Sequence, residues 1–401
     1  MFSERMFQLG SRRSSIRELF EYGKMRAELV GRENVFDFSL GNPTVPPPEE
    51  VKDAIINIIE NSDSVAVHGY TSAQGDASVR ARISEHLSRK YRLSVSPDRI
   101  YMTCGAAASL VISISALRYC DKDEFVAVAP YFPEYKVFVE ETGAAFKTVE
   151  PDYANFQINF DSLSEVVNEN TRAVIINSPN NPSGAVYREE TLRNLADFLC
   201  VREAEYGHPI YIISDEPYRE IIYDCGEYPS VMRYYSDTIM CYSYSKSLSL
   251  PGERIGYIAV SDNAKDSSEI YAAVCGAGRA HGYVCAPSLF QKVAGEVCGI
   301  HSDIGVYRKN RDILYNGLTD LGYSCVHPDG AFYLFVKAPG GNSISFGEAA
   351  KKRDLLIVPG DDFGCPGYMR VSYCVSTEMI KRAMPVFKKL MEESCSDNIG
   401  Q

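Results

Sequence analysis

The chain of 401 residues contains no tryptophan, no C-x-x-C pair, no H-x-x-x-H pair and no excess of positive charge. Each absence excludes something. The twelve cysteines are scattered, and no two lie closer than Cys365 and Cys374, so a zinc knuckle or a local redox pair has no support. They read as reduced thiols, mostly small buried hydrophobes, and a cytoplasmic location is expected. The six histidines offer no paired metal ligands. Lys plus Arg is 41 against 53 Asp plus Glu, a net charge of −12, which argues against a nucleic-acid binder needing a basic face. No apolar run approaches the roughly 18 residues of a membrane span. The segment from Met1 to Ile16 lacks the apolar stretch of a secretory signal and, from Ser14 on, reads as a helix start. Internal repeats and low-complexity linkers are also missing.

What is present fits a globular protein. Hydrophobic residues make up 45% and charged residues 23%. At about 150 residues per domain, the length predicts two or three domains. Apolar runs at Phe125–Ala129, Ala173–Asn177, Tyr211–Ser214, Ile239–Ser243 and Gly256–Val260 alternate with amphipathic stretches such as Ala106–Leu117 and Glu189–Arg202. That alternation predicts an α/β fold whose sheet is covered on both faces, since several runs are apolar at both parities. The last hundred residues change character. They predict a long polar helix over Ile304–Leu321, short strands at Gly322–Val326, Ala331–Val336 and Tyr368–Cys374, and a closing helix Met379–Met391, a smaller α+β unit.

Ligands of such sheets bind beyond the carboxyl ends of the strands, and three predicted strand ends carry polar clusters. Asn177-Ser178-Pro179-Asn180-Asn181-Pro182 follows one, Asp215-Glu216-Pro217-Tyr218 the next, and Ser243-Tyr244-Ser245-Lys246 a third. A lysine ringed by hydroxyls can form a Schiff base with an aldehyde, and Arg254 eight residues later can hold a phosphate. Asp215 can keep a pyridine nitrogen protonated, which turns the ring into an electron sink. Asn181 and Tyr218 can donate to a phenolic oxygen. Small residues at Gly105, Ala106 and Ala107 open a predicted helix whose backbone amides can approach a phosphate. Taken singly, each cluster also fits an ordinary turn, surface lysine or structural arginine; their joint occurrence is the informative feature.

Nearly the whole chain, in order, resembles a fold-type I, pyridoxal-phosphate-dependent aminotransferase of class I/II, similar to the aspartate aminotransferases. The resemblance is carried by Gly41-Asn42-Pro43, Tyr70 with Gly75, Gly105, Pro130 to Tyr135, Asn177 to Gly184, Asp215 to Tyr218, Lys246 to Gly256 and Arg370. It implies an α/β large domain with a mostly parallel central sheet flanked by helices, plus a smaller α+β domain formed by both chain ends. The boundaries expected are 1–45 for an N-terminal arm and part of the small domain, 46–298 for the large cofactor domain, and 299–401 for the small domain. It implies transamination by a ping-pong mechanism with pyridoxal 5'-phosphate linked to Lys246. Asp215 would pair with the ring nitrogen, Asn181 and Tyr218 with the 3′-oxygen, and Phe132 would stack on the ring. Ser243, Arg254 and the amides of Gly105, Ala106 and Ala107 would hold the phosphate. Tyr70 would reach the phosphate of a partner subunit, which makes a homodimer with shared active sites the expected assembly. Arg370 would clamp the substrate α-carboxylate, with Gly41 approaching it through its backbone. A distal carboxylate, if read, would fall to Arg279, His281, Arg17 or Arg26. Ala106 and Ala107 depart from the hydroxyl or lysine often found in the family's phosphate loop, and Phe132 from the tryptophan of aspartate enzymes. The same scaffold hosts C–S lyases, decarboxylases and synthases, so these stay open as reaction types. A regulator with an appended DNA-binding module is disfavoured, because few residues precede Gly41 and the charge is acidic.

Overall fold

The structure, a computed structural model, describes residues 1–11, 14–224 and 226–399. Three sheets form from twelve strands among these residues. In chain order the strands are β1 (Phe36–Asp37), β2 (Ile100–Thr103), β3 (Glu124–Val128), β4 (Ala145–Val149), β5 (Thr171–Asn177) and β6 (Tyr211–Asp215). There follow β7 (Thr238–Ser243), β8 (Gly256–Val260), β9 (Tyr333–Lys337), β10 (Leu355–Leu356), β11 (Val358–Pro359) and β12 (Tyr368–Ser372). The central sheet has seven strands in the order β2-β8-β7-β6-β5-β3-β4. Strands β4, β3, β5, β6 and β7 run parallel, while β8 lies antiparallel between β7 and β2.

The apolar runs at both parities are explained by helices on both faces. Side chains alternate across a strand. Phe125, Ile175, Ile213, Ile239 and Ile258 pack with Leu110, Ile112, Tyr135, Val139 and Val274, which belong to helices Ala106–Leu117, Glu134–Glu141 and Ser267–Ala280. Val126, Val174 and Ile212, one residue out of step, pack on the other face with Leu163, Leu192, Leu195 and Leu199 of helices Phe160–Val166 and Glu189–Tyr206. Each such side chain contributes about 1.5–3 kcal/mol by leaving water. The exception is β4, an edge strand with Ala145, Lys147 and Thr148 exposed; its lysine is the charge that keeps an edge from pairing further.

Both chain ends build the smaller unit. β1 pairs in parallel with β10, and the Phe38 ring lies 6.1 Å from that of Phe387. Helices Gly305–Asp320 and Thr377–Ile399 cover the antiparallel sheet β11-β12-β9. Two expectations for this region are corrected. Gly322–Val326 is not a strand. Gly322, at φ +91°, and Tyr323, whose N–H donates to Leu318 O, wind off the preceding helix, and only Cys325 makes an isolated bridge, to Val336. The strand expected from Ala331 begins at Tyr333, because Ala331 adopts φ +55° and leaves extended geometry. The helix begun at Ser15 runs to Val30, although the Ser14 side chain does not cap it. The Gly41 to Pro48 segment is the coil that leads from β1 to helix Glu49–Asn61. Among the described residues no helix is long and apolar enough to cross a membrane.

Candidate active site

Strand register brings the polar clusters to one edge of the sheet. Asn177, which ends β5, is level with Asp215, which ends β6. Ser243, which ends β7, and Thr103, which ends β2, are both level with Gly256. Because β8 runs antiparallel, its first residues lie at this same edge, and Arg254 just before it arrives beside residues from strand ends. Glycine at 256 is needed there, since a Cβ would stand 2.3 Å from Tyr242 O.

A cavity of about 290 Å³ opens at this edge. It is lined by Gly41, Ala106, Ala107, Phe132, Asn181, Asp215, Tyr218, Ser243, Lys246, Arg254 and Arg370, all singled out in the sequence. Lys246, Arg254 and Arg370 are its cations and Asp215 its one carboxylate among the described residues, so an acidic chain presents a local positive pocket.

Lys246 sits in the short helix Tyr244–Ser247, capped by Ser243, whose hydroxyl accepts from Ser245 N. Its Nζ donates to Gly41 O at 2.6 Å. Burial lowers its pKa to about 8; Arg370 and Arg254 act in the same direction. The Asp215 carboxyl is buried. Tyr135 OH donates to Oδ2 at 2.5 Å, while Oδ1 is buried without a partner. Desolvation drives its pKa up to about 7, against the Tyr135 hydrogen bond, which lowers it. Arg370 is 2% exposed, donates from Nη1 to Asn181 Oδ1 at 3.0 Å and from Nη2 to Ser39 O at 2.5 Å, and keeps a buried Nε without a partner. Its guanidinium is flanked by the rings of Tyr333 and Phe363, 4.8 and 5.0 Å away. Arg254, at φ +53°, donates to Ser245 Oγ at 3.2 Å and to Cys104 O at 3.1 Å. Gly105 has φ +89°, and a Cβ there would press within 2.4 Å of Arg254 Nη2. No side chain caps helix Ala106–Leu117, so its first amides stay free to meet an anion at the cavity wall.

Other expected residues do not line the cavity. Tyr70 is 99% exposed and outside the cavity. Arg279 lies in the last turn of helix Ser267–Ala280, and His281 Nε2 lies 2.7 Å from Ser115 Oγ; neither lines the cavity. Arg26 is engaged by Asp354 at 2.6 Å and ties the N-terminal helix to the small unit. Arg17 is exposed, next to Ile16, which does line the cavity. Sequence reasoning gave no role to Tyr135, Asn177 and Ser245, although they lie in the motifs it singled out, and did not single out Tyr333. Asn177 anchors the loop after β5, its Nδ2 donating to Asp215 O and its Oδ1 accepting from Asn181 N. Its place at a strand end was the available signal; for Tyr135 and Tyr333 the deciding contacts are 80 and 115 residues away in sequence.

The sheet order, the lysine after β7 and the arginine before β8 define an enzyme with a cation-lined strand-end site. The sequence pattern of the aminotransferase class I and II family matches residues 33–387, and the chain belongs to that family. Its activity is that of a transaminase, and the family depends on pyridoxal phosphate. The fold matches an aminotransferase of Eubacterium rectale with a TM-score of 0.96 and 58% identity, covering 98% of this chain and 99% of that one. A probable aspartate aminotransferase of Methanocaldococcus jannaschii is 30% identical over 388 residues, 94% of this chain and 97% of its own. Aromatic-amino-acid aminotransferase 2 of Thermococcus litoralis is 28% identical over 395 residues, 95% of this chain and 96% of its own.

Proposed function

We propose that this aminotransferase transfers an amino group from an L-amino acid to a 2-oxo acid in two half-reactions, with pyridoxal 5'-phosphate bound in the strand-end cavity and Lys246 as the working amine. The observation that carries this is the convergence of Lys246, the partnerless oxygen of Asp215 and the clamp of Arg370 on one cavity. The residues fit the cofactor. A buried carboxylate oxygen without a donor suits a protonated ring nitrogen, and Arg254 with uncapped helix amides suits a phosphate.

When bound, the cofactor supplies an aldehyde for amine capture and a ring that draws electrons from the substrate Cα. Asp215 would keep the proton at the ring nitrogen. Asn181 and Tyr218 would donate to the 3′-oxygen, and Phe132 would pack on the ring face. Arg254, Ser243 and the amides of Gly105, Ala106 and Ala107 would hold the phosphate. Arg370 binds the substrate α-carboxylate through a planar, bidentate guanidinium, with the Gly41 backbone beside it. Lys246, its pKa lowered to about 8, would take the proton from the substrate Cα near neutral pH and deliver it to the cofactor's C4′.

The same reading makes the enzyme a cytoplasmic homodimer in which Tyr70, exposed in one protomer, completes the phosphate site of its partner. It divides the chain at 45/46 and 298/299, which the pairing of β1 with β10 supports. Since relatives of similar identity are named for aspartate and for aromatic amino acids, the test is a donor and acceptor panel containing both. A 2-oxo acid formed without free ammonia is the expected product. Pyruvate, ammonia and sulfide released from cysteine would assign a lyase instead.

A further inference from the structure

We propose that Tyr333 is a positioning residue whose hydroxyl couples the carboxylate clamp at Arg370 to the hydrogen-bond donor that Tyr218 presents to the cavity. This rests on the reading above, in which Arg370 holds a carboxylate and Tyr218 faces the cofactor's 3′-oxygen.

Tyr333 opens β9 in the small unit, and Tyr218 follows β6 in the large sheet. Their hydroxyl oxygens lie 2.9 Å apart, with the rings edge to face at 5.7 Å. Both rings are buried and both line the cavity. Each phenol carries one proton. One of the two protons joins the pair, and the other is free to point into the cavity. Two arrangements follow, and they exclude each other. In the first, Tyr333 donates to Tyr218, and Tyr218 donates to the 3′-oxygen. In the second, Tyr218 donates to Tyr333, and Tyr333 donates to an anion beside Arg370, whose guanidinium already flanks its ring at 4.8 Å. The Tyr333 hydroxyl is seated against Gly41, where a Cβ would stand 1.8 Å from it, and Gly41 O holds Lys246 Nζ. The Tyr333 ring therefore faces the clamp, and its hydroxyl abuts the glycine that holds the lysine.

The consequence is a switch. A carboxylate arriving at Arg370 favours the second arrangement, withdraws the Tyr218 proton from the 3′-oxygen and makes that oxygen more basic. The charged and titratable groups facing the pair are Arg370, Asp215 and Cys374, with Lys246 held on the Gly41 carbonyl beside them. Neutralising the Arg370 charge acts in the same direction, so removal of the Tyr333 hydroxyl reduces the response without abolishing it.

The test compares wild type with Tyr333→Phe, both loaded with pyridoxal 5'-phosphate, using propionate as an unreactive carboxylate. Calorimetry gives the propionate Kd, and absorbance against pH gives the titration midpoint with and without propionate. The propionate Kd is expected to rise about three- to tenfold in Tyr333→Phe, the loss of one hydrogen bond. The upward midpoint shift caused by propionate is expected to shrink. Tyr218→Phe should move the midpoint already without propionate. A wild-type Kd together with a wild-type shift in Tyr333→Phe would overturn the proposal. The calorimetric arm reads Tyr333 whether or not a lysine-linked chromophore forms, so a failure of the Lys246 reading is seen separately in the wild-type spectrum.

Discussion

Asp215 shows how a single residue can be costly to the fold and useful to the site. Its carboxyl is buried with one oxygen held by Tyr135 and the other without a partner. Its pKa therefore rises from 3.8 to about 7 in the protein without cofactor. The unfolded chain ionises it near 3.8, so the folded state loses stability as pH rises from about 4 to about 7, and the loss is complete above that. Asp215→Asn should accordingly raise the melting temperature of the cofactor-free protein, by more at pH 8 than at pH 5, while weakening cofactor binding. Thermal unfolding at the two pH values checks this; an equal or absent gain at pH 8 would contradict it. Asp215 was legible as a strand-end carboxylate. Tyr135 was not, because nothing in Pro130 to Tyr135 says which ring turns toward a residue 80 positions away.

At the scale of elements, the strands that carry the site were legible because burial on both faces leaves apolar runs that water-facing segments lack. Strands β3, β5, β6, β7 and β8 were each located to within two residues. Edge strand β4 was not, since Ala145-Phe146-Lys147-Thr148-Val149 buries mainly one residue and carries a lysine. Gly322–Val326 failed for a different reason: its glycine serves to end a helix rather than to precede a strand. The antiparallel setting of β8 is a tertiary feature. It decides that Arg254 lies at the cavity edge and not at the opposite end of the sheet.

For the whole molecule, the two chain ends meet through β1 and β10, and the cavity lies where Gly41, Tyr333 and Arg370 of one unit face the strand ends of the other. That juxtaposition followed from the order of motifs, but the Tyr218–Tyr333 contact across it did not. A homodimer with Tyr70 acting in the partner makes a direct prediction. Lys246→Ala and Tyr70→Ala subunits, mixed under conditions that exchange subunits, should give more activity than the sum of the two alone, because the hybrid holds one site with Lys246 and Tyr70 both intact. No gain on mixing would refute the shared site. The central claim is that Lys246 is the working amine, and the absorbance of the protein loaded with pyridoxal 5'-phosphate tests it most directly. Wild type should show a lysine-linked band in the near-ultraviolet to visible range that Lys246→Ala lacks, whereas an unchanged band in Lys246→Ala would contradict the account.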